Sequence, residues 1–276
     1  MNELPLTLEK QYTVLLPPTP VIRILLVGVG GTGSWLALSL GRLAYHARQK
    51  GIIFHLTFVD PDRIEIKNVG RQAFCPTEMG LNKAETMAWR LNLALGLDIS
   101  ARVTPFTVKL GQAWHIPHAP VGSHLVIGAV DNHLARRAIA QLVTDLRGRV
   151  WWLDCGNARS NGQVLIGNLA EKKQFQVDAM GLCRGLPLPS LQEPGLLEPD
   201  PAPQPLACAE MAEREEQSLL VNAQVAAIAG QFVADFSLKR RLEQYATYFN
   251  LEPPVMVSHR LTESQVEQLA RGWSES

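Results

Sequence analysis

The chain lacks paired cysteines. Its four, Cys75, Cys155, Cys183 and Cys208, form no C-x-x-C motif. A four-thiolate zinc site and a disulfide framework are therefore not expected, and a reducing cytoplasm is the expected setting. The chain also lacks an excess of charge of either sign. With 26 Lys+Arg against 26 Asp+Glu its formal net charge is +0, and its pI is ≈ 7.1. That balance leaves no electrostatic footprint for nucleic acid or for a membrane surface. No apolar run is long enough to span a bilayer. Residues 1–12 are mixed polar without an apolar core, so no secretory leader is expected. No internal repeat is visible.

What is present is a first strong strand, Val21-Ile22-Arg23-Ile24-Leu25-Leu26-Val27. It runs straight into Gly28-Val29-Gly30-Gly31-Thr32-Gly33 and a helical stretch over about 34–49. A buried strand, a glycine turn and a helix N-terminus in that order make a phosphate site. The glycines let the backbone approach an anion, and the free amides and helix dipole favour negative charge. Ile52 to Val59 predicts a second strand that halts at Asp60-Pro61-Asp62. A polar, irregular loop over 63–79 and a helix from Asn82 to Leu95 follow. Strands are predicted over Ser100 to Val108, His124 to Val130 and Val150 to Leu153, with a helix over Arg136 to Leu146. Apolar strands alternating with helices predict an α/β, Rossmann-like, doubly wound and mostly parallel sheet.

The regularity fails after residue 160. Asn161 to Leu169 predicts an added antiparallel strand. Residues 183–205 hold seven prolines, from Pro187 to Pro205, and predict a mobile loop. A long C-terminal helix is predicted from Ala209 to Leu238, with Leu219, Val225, Ile228 and Phe232 on its apolar face. A short helix is expected near Glu263 to Arg271. The organisation is thus a lead-in over 1–20 ending in Pro17-Pro18-Thr19-Pro20, a domain over 21–249, and a polar tail over 250–276.

Several polar residues fall where such a sheet binds ligands. Gly28, Gly30, Gly31 and Gly33 are the candidate phosphate turn, though a tight strand–helix junction would also need small residues. Asp60 and Asp62 end the second strand, where a carboxylate can take ribose hydroxyls or merely form a solvated turn. Asn68, Arg71 and Gln72, with Lys83 beyond, have no evident use in hydride transfer. A triphosphate would use them: the cations neutralise its oxygens and the amides orient them. Asp131 ends a buried strand and suits a Mg²⁺ held together with substrate phosphates, or else the cap of the next helix.

In order and spacing, Gly28-x-Gly30-Gly31-x-Gly33, Asp60-x-Asp62, Asn68-x-x-Arg71-Gln72, Gly80-x-x-Lys83-Ala84 and Asp131-Asn132-x-x-x-Arg136 resemble the ThiF/MoeB/ubiquitin-activating enzyme superfamily over residues 21–140. Gln217-Ser218-x-x-x-Asn222 resembles a bacterial branch of it, the ThiF-like protein of the PRTRC cassette. The resemblance implies MgATP-dependent adenylation of the C-terminal glycine carboxylate of a small ubiquitin-like, β-grasp protein. It implies that Asp62 takes the ribose, that Asn68, Arg71 and Lys83 handle the phosphates, and that Asp131 carries Mg²⁺. It also implies a homodimer and a crossover role for 183–205 above the nucleotide.

Two features depart from that pattern. The C-x-x-C zinc motifs of MoeB-like members are missing, and residues 1–20 contain no arginine where such members supply one. Cys208 follows the proline-rich stretch at the head of the long predicted helix and resembles the sulfur-chemistry cysteine of ThiF. A thiol there is either activated by the helix dipole or packed as a small hydrophobe. Cys155 follows a strand and either faces the crevice or packs in the core. Cys183 lies in the proline-rich loop, and Cys75 is expected to pack beside the Arg71 loop. An NAD-dependent oxidoreductase would explain the glycine turn and Asp60 but not Arg71, Lys83 and Asp131. A non-catalytic nucleotide-binding scaffold would explain the missing arginine.

Overall fold

The structure, a computed structural model, describes residues 11–171, 174–199, 220–262 and 264–265. In chain order its elements are β1 (Thr13–Leu15), β2 (Val21–Val27), α1 (Gly31–Gln49), β3 (Ile53–Val59), α2 (Lys83–Leu95), β4 (Ser100–Arg102), α3 (Val108–Trp114), β5 (His124–Gly128) and α4 (His133–Asp145). Then come β6 (Val150–Asn157), β7 (Asn161–Gly167), β8 (Leu182–Cys183), α5 (Pro189–Gln192), α6 (Val221–Ala234), β9 (Arg241–Leu242), β10 (Gln244–Leu251) and β11 (Pro254–Arg260).

The main sheet has eight strands in the order β11-β10-β7-β6-β5-β2-β3-β4. From β4 to β6 the pairing is parallel, and β7, β10 and β11 add antiparallel strands beyond β6. This is the expected mostly parallel sheet with antiparallel additions.

Alternation along the central strands explains the double winding. Ile22, Ile24, Leu26, Leu125, Ile127, Trp151 and Leu153 belong to one core cluster, shared with Leu36 and Leu40 of α1 and Val225 and Phe232 of α6. Leu25, Val27, Val126, Val150 and Trp152 point the other way, into a second cluster with Ile139, Leu142 and Val143 of α4. Strands buried on both faces must be apolar at every position, and helices must cover each face. Each side chain buried in this way contributes about 1.5–3 kcal/mol relative to exposure.

The register fixes where a ligand can sit. Val27 pairs with both Val59 and Gly128, and Gly128 pairs with Asp154. The exits of β2, β3 and β5 therefore lie level at one edge, with β6 running alongside. The chain leaves β2 for β3 on one side, and later returns to β5 on the other. The crevice of an open α/β sheet forms at that reversal.

Some expectations are corrected. Only Ser100–Arg102 of the stretch to Val108 is strand. Thr107 then caps α3 by accepting the Leu110 amide at 3.2 Å. The lead-in is not merely a connector, because β1 pairs with β8 and β9 in a second, three-stranded sheet. The boundary at residue 249 falls inside β10, and β10 with β11 completes the main sheet across the expected polar tail. The described part of 183–205 is packed rather than an open loop: Cys183, Leu186, Leu188 and Leu196 are buried. Of the long helix, the described residues give Val221–Ala234 and a π-helical turn over Asp235–Lys239, with Val225, Ile228 and Phe232 buried as expected. Residues 209–219 and most of 263–271 lie outside the described residues.

Candidate functional site

A cleft of about 680 Å³ lies over the carboxyl ends of β2, β3, β5 and β6, within the size range of small-molecule sites. Gly28, the first residue after β2, has φ +87, and a Cβ there would meet the Ala129 carbonyl oxygen at 2.5 Å. Only glycine lets the two strand exits approach so closely. Gly30 precedes α1, and no side-chain hydrogen bond caps the helix. Its first-turn amides thus face the cleft where an anion would be stabilised. Gly28, Gly30 and Gly31 line the cleft, whereas Gly33 does not. A Cβ at Gly33 would lie 2.0 Å from the Gly28 carbonyl oxygen. Its smallness serves helix–strand packing, which corrects its assignment to phosphate.

Asp60 is corrected as well. It is buried, its Oδ2 accepts the Val29 amide at 2.6 Å, and its Oδ1 accepts the Asp62 amide at 2.8 Å. Burial pushes its carboxyl up, and the two backbone bonds oppose that shift. Asp60 reaches the cleft wall, but its oxygens hold the glycine turn against the end of β3. Asp62 is the exposed carboxylate on this side. It pairs with Lys83 Nζ at 2.9 Å, the lysine side chain being 8% exposed against 63% for the aspartate. Asn82 caps α2 by accepting the Glu85 amide, and its own side chain donates to the Asp60 and Asp62 carbonyls. The start of α2, and with it Lys83, is thereby tied to the end of β3.

The loop carrying Arg71 and Gln72 is tied to α1. Trp35 Nε1 donates to the Arg71 carbonyl at 3.2 Å, and Ser34 Oγ accepts the Ala73 amide at 3.0 Å. Arg90 holds the far side through the Ala73 carbonyl and Glu78. Arg71 and Gln72 both line the cleft. Asn68 does not. It is buried beneath the loop, where its Oδ1 accepts the Glu65 amide at 2.9 Å. Its expected phosphate contact is corrected to a turn-forming role.

Across β2, Asp131 is exposed on the cleft. The cap of α4 is the next residue, Asn132, which accepts the Ala135 amide at 2.8 Å. Asp131 is thus left out of the capping role. Among the described residues no three His, Cys, Asp or Glu side chains cluster so as to hold a metal unaided. A lone exposed carboxylate fits Mg²⁺, which takes one or two carboxylates along with substrate phosphate oxygens.

Sequence reasoning assigned no role to Arg136, Asp154, Thr32, Asn157 or Asn222. Arg136 lines the cleft, and its Nε donates to Asp154 Oδ1 at 3.1 Å. Asp154 is fully buried, and burial pushes its carboxyl up to about 6 against the pull of Arg136. Its second oxygen has no hydrogen-bond partner. Thr32 Oγ1 donates to Asn222 Oδ1 at 3.1 Å, and Asn157 Nδ2 donates to Thr32 Oγ1 at 3.2 Å and also to Asn222 Oδ1. The only signal for Asn222 was its place in the Gln217-Ser218-x-x-x-Asn222 stretch.

Cys155 lines the cleft yet is buried, and that burial pushes its thiol well above the ordinary value. Cys183 is buried and its thiol is pushed up to about 11. Cys75 is exposed, not packed beside the Arg71 loop as expected. Cys208 lies outside the described residues.

The comparisons with known proteins agree with this architecture. The ThiF family model matches residues 21–262. Ubiquitin-like modifier-activating enzyme 5 of Arabidopsis thaliana is 28% identical over 145 residues, 48% of this chain and 31% of that relative. The tRNA threonylcarbamoyladenosine dehydratase of Escherichia coli K12 is 31% identical over 117 residues, 42% of this chain and 40% of that relative. The matched region therefore spans less than half the length of either relative. Among solved structures, E. coli MccB superposes with a TM-score of 0.58 at 15% identity, covering 88% of this chain and 63% of MccB. MccB solved with ATP gives 0.54 at 14%, covering 87% and 64%. At these identities the likeness is one of fold. The chain belongs to the ThiF family.

Proposed function

We propose that this ThiF-family chain binds MgATP and adenylates the C-terminal carboxylate of a small ubiquitin-like, β-grasp protein that ends in glycine. The observation that carries the reading is one cleft lined by Arg71, Lys83 and Arg136 together with Asp62 and Asp131, at the uncapped N-terminus of α1. Three cations beside a helix N-terminus suit a polyphosphate far better than a nicotinamide. The name of the Arabidopsis relative and the ATP-bound neighbour of like fold support the same reading.

The acceptor carboxylate oxygen attacks the α-phosphorus and forms a new P–O bond. The bond from that phosphorus to the bridging oxygen breaks, and pyrophosphate leaves with the electron pair. No protein base is needed, because a terminal carboxylate is ionised at neutral pH. Asp62, oriented by Lys83, receives the ribose. Arg71, Lys83 and the α1 amides stabilise the charge that spreads over phosphate oxygens in the transition state. Asp131 would hold Mg²⁺, which when bound neutralises phosphate charge. Arg136, fixed by Asp154, is the third cation of the cleft in a chain whose first 20 residues carry no arginine. Cys155 is buried and its thiol is pushed up, so any later transfer of the activated tail to a thiol is proposed for Cys208, on its resemblance to the sulfur-chemistry cysteine of ThiF. The reading includes a cytoplasmic homodimer of the PRTRC branch, for which the stretch ending in Asn222 is the sequence support.

Calorimetric titration with MgATP and, separately, with NAD and NADH tests this reading, with Asp131→Ala as control. Binding of MgATP that weakens in the variant, with no binding of NAD or NADH, is the expected result. Tight NADH binding indifferent to Asp131 would instead identify a redox enzyme.

A further inference from the structure

Arg71 and Lys83 reach the cleft from different segments, and a side chain outside the cleft joins those segments. Lys83 opens α2, and Arg90 stands two turns further along the same face of that helix. Arg90 does not line the cleft. Its Nη1 donates to the Ala73 carbonyl at 2.8 Å, and its Nη2 pairs with both carboxylate oxygens of Glu78. Glu78 Oε2 also accepts the Cys75 amide at 2.8 Å, closing the turn over Pro76–Glu78. The two side chains of the pair are largely covered, at 29% and 17% exposed. The Ala73 amide is held from the other side, by Ser34 Oγ of α1. Ala73, two residues from Arg71, is therefore gripped by α1 through its N–H and by α2 through its C=O.

We propose that Arg90 is a positioning residue for Arg71. With Glu78 as its counter-ion it clamps the loop behind Arg71 to α2, and so sets the spacing between Arg71 and Lys83 at the nucleotide phosphates. The inference rests on the adenylation reading above. The loop that carries Arg71 is closed at its neck, where the Ile64 amide donates to the Leu81 carbonyl and the Gly80 amide to the Ile64 carbonyl. Beyond the neck, Trp35 Nε1 holds the Arg71 carbonyl, and the buried Phe74 and Arg90 hold the returning limb. A planar guanidinium suits this task, because one nitrogen meets the carboxylate while another reaches a carbonyl. Glu78 neutralises Arg90, so the effect is on position and not on charge at the cleft. Lys83 is fixed independently, by Asp62 and by the Asn82 cap of α2. Without Arg90 the Ala73 carbonyl loses its bond to α2, and no direct link then sets the distance from Arg71 to Lys83.

The test is calorimetric titration of MgATP into the proteins of a double-mutant cycle. Arg71→Ala removes a charged contact to phosphate and should weaken MgATP about tenfold. Arg90→Met keeps an unbranched stem and removes the fork. It should weaken MgATP about fivefold in the wild type but less than about twofold in the Arg71→Ala protein, where the group it positions is gone. In the Lys83→Met protein it should still cost about fivefold. Glu78→Ala cuts the same clasp from the loop side and should repeat this pattern. Glu78→Gln keeps an oxygen for Arg90 and should bind MgATP within about twofold of the wild type. A general loss of structure would instead weaken MgATP by one factor in every background. The inference is overturned if Arg90→Met binds MgATP like the wild type, or if its effect is the same with and without Arg71. Failure of the wild type to bind MgATP at all overturns the adenylation reading itself.

Discussion

The Val29 amide donates to Asp60 Oδ2 at 2.6 Å, joining the glycine turn to the end of β3 across 31 residues. The glycine turn at the cleft is thereby held from behind by a buried carboxylate. Asp60→Ala leaves the Val29 and Asp62 amides without their acceptor. Unfolding free energy should fall by about 1–3 kcal/mol, as for orphaned buried donors, and MgATP affinity should fall with it. Urea denaturation and calorimetry measure the two losses. Unchanged MgATP affinity would show that the turn holds its shape without Asp60.

Lys83 and Arg71 should separate from Asp60 in their effects. Both lie at the cleft, and neither belongs to a core cluster. Arg71→Ala and Lys83→Met should leave the denaturation midpoint near the wild type. They should lower the adenylation rate by on the order of 10²–10³, the usual cost of one preorganised charge stabiliser. A stability loss comparable to that of Asp60→Ala would reassign them to structure.

Asp154 makes a signed prediction about pH. Its carboxyl stands at about 6 in the fold against an ordinary 3.8. Below both values the carboxyl is protonated whether folded or not, and above both it is ionised in both states. Between them the folded chain keeps a proton that the unfolded chain gives up, so this group makes stability fall as pH rises from about 4 to 6. Asp154→Asn keeps an oxygen for Arg136 and removes the titration. Relative to wild type, the variant should gain on the order of 2 kcal/mol across that window, read as urea midpoints at a series of pH values. A constant difference between the two proteins would contradict the assignment.

Gly31 and Asn222 should be coupled. Gly31→Ala drives a methyl against Asn222 Oδ1, 2.6 Å away, and should destabilise the protein. Asn222→Ala opens that space, so the double variant should recover part of the loss. Contacting residues show coupling energies of about 0.5–3 kcal/mol. Additive losses in a denaturation double-mutant cycle would mean that the two positions do not meet.

Much of the architecture was legible because it rests on short-range patterns. Val21–Val27 and His124–Gly128 are continuous apolar runs, and each exits into glycine or aspartate. Arg71, Lys83 and Asp131 could be singled out from their spacing after the glycine turn, and all three line the cleft. Asp60 and Asn68 were placed in the right region but given the wrong task. A sequence does not tell whether a carboxylate at a strand end faces a ligand or the neighbouring backbone. Asn222 and Thr32 lie 190 residues apart, a separation that no periodicity reports. β11 escaped notice because it is an edge strand exposed along most of its length, so Pro254-Val255-Met256-Val257 carries no alternation.

The central claim is carboxylate-dependent adenylation, and pyrophosphate exchange tests it most directly. The purified protein is mixed with MgATP, labelled pyrophosphate and a ubiquitin-like protein ending in glycine. A control carries the same protein with its terminal carboxylate converted to the amide. The account predicts that label enters ATP only with the free carboxylate, and that Arg71→Ala abolishes most of it. MgATP binding with no carboxylate-dependent exchange against any glycine-ended partner would contradict the account and leave a nucleotide-binding scaffold in its place.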